Sequence, residues 1–100
     1  MGITRGATVT NTFTVSVDLT SAVSLYVTYK QYGKTVLEKA LEDCTITENS
    51  IEVDLTQDDT LRFREGGVEI QIRAKLPDGA ALVSKVIYTS ASKLLKEGVI

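Results

Sequence analysis

The chain has 100 residues, 43% of them hydrophobic, with a formal net charge of −2 and a pI near 5.0. That is enough apolar material for one domain, residues 1–100, around one core. Acidic balance without clustered Lys and Arg argues against nucleic acid as a partner; with no histidine the commonest general base and metal ligand is missing, and one cysteine cannot form an intramolecular disulfide.

The lone Cys44 fits folding in a reducing cytosol. "MGITRGATVT" lacks the apolar run of a signal peptide, no stretch approaches the roughly 18 apolar residues of a membrane span, and Gly6 stands where a myristoylation motif wants Ser or Thr. No membrane partner is expected.

The 13 threonines, many alternating with apolar residues, point to strands, because β-branched side chains fit a pleated, half-buried surface. In "TVTNTFTVSV" Val9, Phe13, Val15 and Val17 share one face and Asn11 interrupts it, which predicts a first strand with a bulge, edge or bend. "AVSLYVTYKQYGKTVLEKAL" reads as a hairpin with Val23, Leu25, Val27 and Tyr29 inward, Tyr26 outward and Tyr32-Gly33 at the turn. "CTIT" and "SIEVDL" make the next pair, with Glu48-Asn49 at the turn and Ile51, Val53 and Leu55 facing the core. In "TQDDTLRF" the period-two pattern stops, and Thr56 followed by Asp59 predicts a capped helical turn crossing between sheets.

"GGVEIQIRAK" is the strongest strand, with Val68, Ile70, Ile72 and Ala74 inward and Glu69, Gln71, Arg73 and Lys75 outward, and "LPDG" turns the chain back. Ala80 to Thr89 is apolar on both faces apart from Ser84 and Lys85, which predicts a central or covered strand. "SASKLLKEGVI" carries Ser90 or Ser92 as a cap and Gly98 as a stop, so a short helix is predicted over about 91–97. About seven strands within 3–89 at regular spacing imply an all-β, immunoglobulin-like antiparallel sandwich without the Cys-Trp-Cys core, with a small barrel as the alternative. The stretches starting Asp18-Leu19-Thr20 and Asp54-Leu55-Thr56 echo each other as two sheet-to-sheet turns.

Chemistry-bearing patterns are sparse. Cys44 has no histidine to activate it and alternates with Ile46 as a core residue would. Glu42-Asp43 point to opposite faces if they lie on a strand, and Asp58-Asp59 sit where a helix N-terminus favours negative charge. No calcium-loop, phosphate-loop or G-x-S-x-G pattern occurs, so no catalytic residue, metal or cofactor is assigned. Gly66-Gly67 reads as a turn. Tyr26 and Tyr32 are the candidate recognition residues for a carbohydrate-type surface. Apolar residues in excess of one small core, Val83, Ile87, Leu94, Leu95 and Val99, are the candidate interface, unless the terminal helix covers its own domain.

Taken together, "MGITRGATVTNTFTV", "SLYVTYKQYGKTVLEK", "DLTQDDTLRFREGGVEIQIRAKLPDG" and "LLKEGVI" resemble, over nearly the whole chain, small proteins encoded among the structural genes of Firmicutes tailed phages and prophages. The sequence is more loosely similar to the immunoglobulin-like N-terminal domain of phage upper baseplate proteins, and departs from it by having no receptor-binding or collagen-like extension up to Ile100. The resemblance implies a non-enzymatic virion, tail or baseplate role without cofactor, made in the host cytoplasm and acting through protein contacts, with phage structural proteins or its own copies as a homo-oligomer. A recognition module of adhesin or carbohydrate-binding type is the alternative.

Overall fold

The computed structural model describes residues 1–100. Its strands are β1 (Val9–Thr14), β2 (Ser24–Gln31), β3 (Lys34–Ala40), β4 (Cys44–Ile46), β5 (Ser50–Leu55), β6 (Gly66–Lys75), β7 (Ala81–Val83) and β8 (Ile87–Ala91). A 3-10 turn, Leu41–Asp43, joins β3 to β4, and a five-residue helix, α1 (Gln57–Leu61), joins β5 to β6. One sheet runs β1-β5-β4. The other runs β3-β2-β6, with β7 and β8 both paired to β6. Every strand pair is antiparallel.

This order is that of an immunoglobulin-like sandwich, with B-E-D in one sheet and C′-C-F followed by a split G in the other. The period-two pattern decides which residues meet between the sheets. Leu25, Val27 and Tyr29 from β2, Ile51, Val53 and Leu55 from β5, and Val68, Ile70, Ile72 and Ala74 from β6 are all buried. Each large aliphatic side chain withdrawn from water contributes about 1.5–3 kcal/mol, so these three strands carry most of the core.

Turn chemistry follows the sequence closely. Tyr32 and Gly33 both take positive φ, 51° and 76°, as the tight β2–β3 connection requires. Thr56 caps α1: its hydroxyl accepts from the Asp59 amide at 3.1 Å while the Asp59 carboxylate accepts from the Thr56 amide at 2.9 Å. Both D-L-T stretches lie where the chain leaves one sheet for the other, after β1 and at the end of β5.

Five expectations are corrected. Asn11 does not interrupt the first strand: it faces the core, 1% exposed, where its amide donates to the Gly2 carbonyl and its Oδ1 accepts from Tyr29. Val23 precedes β2 and is exposed, not inward. Glu42 and Asp43 sit in the 3-10 turn, where Asp43 accepts from the Ala40 amide, rather than on a strand. The Ala80 to Thr89 segment is a broken edge, neither central nor continuous. It breaks because the Ser84 hydroxyl takes the Ile72 amide at 3.0 Å, competing with the ladder, before β8 resumes pairing further down β6.

The fifth correction concerns the terminal helix. Ala91 ends β8, and Ser92 to Ile100 form no helix. So short a segment is marginal as an isolated helix, and its polar groups are engaged elsewhere. Arg5 forms a two-pronged pair with Glu97 at 2.7 and 3.2 Å, and Gln57 exchanges two hydrogen bonds with Ile100.

Candidate functional site

The two sheets and their connections create three surface features. The first is the outer face of the five-stranded sheet, where register alone fixes the neighbours. One cross-strand row reads Ala40, Tyr26, Arg73, Val83; the next Glu38, Thr28, Gln71; and the third Thr35, Lys30, Glu69, Tyr88. Tyr26, Val83 and Tyr88 are 46%, 58% and 74% exposed, so one edge of a charged face, at Val83 and Tyr88, and the inner position of Tyr26 carry apolar surface. Thr28 donates to Glu38 at 3.2 Å and Gln71 donates to the Ser84 carbonyl at 3.0 Å, which fixes the middle row.

The second is a cleft of about 500 Å³ lined by Gln31, Tyr32, Lys34, Thr35, Val36, Arg62 and Arg64. Gln31 builds it. Buried at 4% exposure, its side-chain amide donates to the carbonyls of Arg64 (2.8 Å) and Gly67 (3.3 Å), and its Oε1 accepts from the Arg64 amide (2.8 Å). The β2–β3 turn is thereby fastened to the segment between α1 and β6. The Tyr32 hydroxyl adds a bond to the Glu65 carbonyl at 3.3 Å. A shift of register between Tyr29 and Lys30 leaves Val36 as an extra residue in β3 and bends that wall.

The third is an apolar cleft, also about 500 Å³, between the Val15–Leu19 connection and β7, with Ile72 and Leu82 at its floor. It opens because β1 ends at Thr14 and β7 is only three residues long.

The structure does not bring the candidate interface residues together. Val83 lies on the outer face, Ile87 pairs with Ile70 on the inner side of the same edge, and Leu94 packs over Gly6. Leu95 and Val99 project from the C-terminal segment, 89% and 59% exposed. Tyr26 and Tyr32 stand six positions apart along one hairpin, about 20 Å at strand spacing, so they form no common platform. Sequence reasoning missed Tyr88, Gln31, Lys34, Arg62 and Arg64; the alternation Arg62-x-Arg64 beside a turn was the available signal.

Three titratable groups are perturbed in the interior of the domain, and each has a structural cause; for Tyr29 it is burial, which raises the phenol pKa. Burial works to raise the Asp59 pKa, but the bond from the Thr56 amide and the Lys39 ammonium at 2.9 Å outweigh it and hold Asp59 below the ordinary carboxylate value. Burial, with Asp43 adding, pushes the Cys44 thiol up to about 11 while its Sγ donates to the Ala40 carbonyl. Cys44 is half-buried against the core and protonated at neutral pH.

No family model matches the sequence, and no curated protein does. Among solved structures the chain is similar to the V domain of amphioxus IgVJ-C2. The identity is 12% and the TM-score 0.36, over 93% of this chain and 100% of that one. The fold is immunoglobulin-like by its strand order, and no helix is long and apolar enough to cross a membrane.

Proposed function

We propose that the protein is a non-enzymatic structural or assembly module that works through protein–protein contacts made by the outer face of its five-stranded sheet. The observation that carries this reading is the self-complementarity of that face. A two-fold axis along the middle row stacks each strand antiparallel on its own copy. Arg73 then meets Glu69 of the copy, Tyr26 meets Lys30, and Val83 meets Tyr88: an ion pair, a cation–π contact and an apolar contact, each made twice, against one meeting of like charges where Glu38 faces its own copy on the axis. Four strands at about 4.8 Å and seven residues at about 3.4 Å give roughly 450 Å² in projection, the weak end of specific interfaces. Weak contacts of this kind gain strength when many copies are arrayed on a larger assembly.

A phage or prophage particle, in virion, tail or baseplate, is the setting that the sequence resemblance supports. The absence of an activated nucleophile at Cys44 and the engagement of Asp59 with Lys39 support a non-enzymatic reading. Mass spectrometry of density-purified particles induced from the source bacterium tests the setting: the chain at fixed stoichiometry supports it, and the chain in the lysate but missing from particles contradicts it. The alternative, a recognition module of adhesin or carbohydrate-binding type, is favoured by one feature, the exposure of Tyr32 at the Gln31 cleft.

A further inference from the structure

We infer that the cleft between the β2–β3 turn and the α1–β6 connection is a binding site for a multivalent oxyanion, of phosphate or carboxylate type. Lys34, Arg62 and Arg64 line it, and no Asp or Glu does. The protein's two ion pairs, Arg5 with Glu97 and Lys39 with Asp59, involve none of them, and no side-chain hydrogen bond occupies their charged groups. Three cationic residues therefore border one cleft with their side-chain donors unused by the protein, up to five on each guanidinium and three on the ammonium, in a protein whose net charge is −2. Like charges bordering one cleft repel one another; an anion with several oxygens offsets that, and guanidinium forks match phosphate and carboxylate geometry.

A surface on which basic side chains merely happen to be neighbours has no reason to be braced from behind. Here the backbone carrying Arg64 is held on both its amide and its carbonyl by the buried Gln31 side chain, and the extra residue in β3 shapes the facing wall. The clamp uses main-chain atoms of Arg64 only, so its side chain is left to the cleft. Tyr32 at the rim, 69% exposed, can lie against whatever carries the anion. Arg73 lies in the far row of the outer face from Thr35, and the site does not rest on the reading of that face.

The test is a two-dimensional NMR titration at low salt, with inorganic pyrophosphate in one arm and citrate in the other. The expected result is saturable shifts confined to the Lys34 and Arg62–Arg64 region, with a Kd of about 1 mM or tighter in at least one arm. Binding of pyrophosphate alone assigns a phosphate-bearing ligand, and comparable binding of citrate assigns the shared oxyanion chemistry. Arg62→Ala and Arg64→Ala should each weaken it at least about fivefold, while Lys75→Ala at the far end of β6 leaves it unchanged, and added salt should weaken binding to the parent protein. Unchanged dispersion of the remaining peaks confirms that the variants are folded, since the Gln31 clamp does not use the arginine side chain. Absence of saturable shifts up to about 20 mM in both arms, or binding undiminished in the Arg62 and Arg64 variants, overturns the inference.

Discussion

Tyr29 and Asn11 couple the two sheets through one buried polar contact, and Tyr29→Phe isolates its energy. The Tyr29 hydroxyl donates to Asn11 Oδ1 at 2.9 Å, and both residues are at most 1% exposed. Burial also pushes the phenol pKa up, so it remains a donor throughout the accessible pH range. Phenylalanine keeps the edge-to-face contact with Phe63, whose ring centroid lies 5.7 Å away at 74°, and removes only the hydroxyl. Asn11 Oδ1 then stays buried without a donor, which costs about 1–3 kcal/mol. In a domain of this length each kcal/mol lowers Tm by about 4–8 °C. Replacing Asn11 with Leu removes the stranded acceptor, so the same Tyr29→Phe change in that background should cost under about 0.5 kcal/mol, the limit of additivity between unconnected sites. Urea and thermal unfolding of the four proteins in this cycle give the coupling directly. A Tyr29→Phe cost within about 0.3 kcal/mol of zero, or one equally large without Asn11, would refute the role assigned to the pair.

Three other outcomes are expected. Because the folded-state pKa of Asp59 is depressed, its stabilising contribution is fully present above the unfolded value of about 3.9 and lost as pH falls through the folded value; Asp59→Asn should flatten the acid limb of the stability curve, measured by urea unfolding between about pH 2 and pH 5. Arg5→Ala removes the part-buried bond to the Phe63 carbonyl together with the Glu97 pair and should cost about 1–3 kcal/mol, whereas Glu97→Ala, at an exposed carboxylate, should cost under about 1 kcal/mol; proteolysis of the C-terminal segment should accelerate in both. Gly66→Ala places a Cβ 2.6 Å from the Tyr32 hydroxyl at φ 134°. The tyrosine can swing away but the backbone strain cannot, so a loss of about 1–3 kcal/mol should persist in the Tyr32→Ala background.

The strands and turns were legible because they depend on near neighbours. Val68, Ile70, Ile72 and Ala74 declare an inner face by alternation, Tyr32-Gly33 by turn chemistry, and Thr56 with Asp59 by capping spacing. What local pattern could not show was where a polar side chain finds its partner across the fold. Asn11 looks like an interruption until Tyr29 and the Gly2 carbonyl are placed beside it. Ser84 looks like a tolerated polar residue in a strand until its hydroxyl is seen taking an amide from β6. Leu94 and Leu95 promised one apolar helix face, but the bonds of Glu97 and Ile100 with residues more than 40 positions away settle that segment instead. Of the basic cleft only the Arg62-x-Arg64 half was local, since Lys34 comes to the same cleft only once Gln31 has joined the two loops. On the outer face, residues could be assigned to a side from sequence, but which residue sits beside which required the register.

The central claim is contact through that face, and sedimentation velocity up to about 1 mM tests it most directly, because an interface this small associates weakly. The parent protein should self-associate with rising concentration. Reversing one charge, Arg73→Glu, places it against Glu69 of the copy and should leave a monomer; Glu69→Arg should do the same, and the two changes together should restore association. A parent chain that stays monomeric throughout, or single and double reversals that sediment alike, would contradict the account.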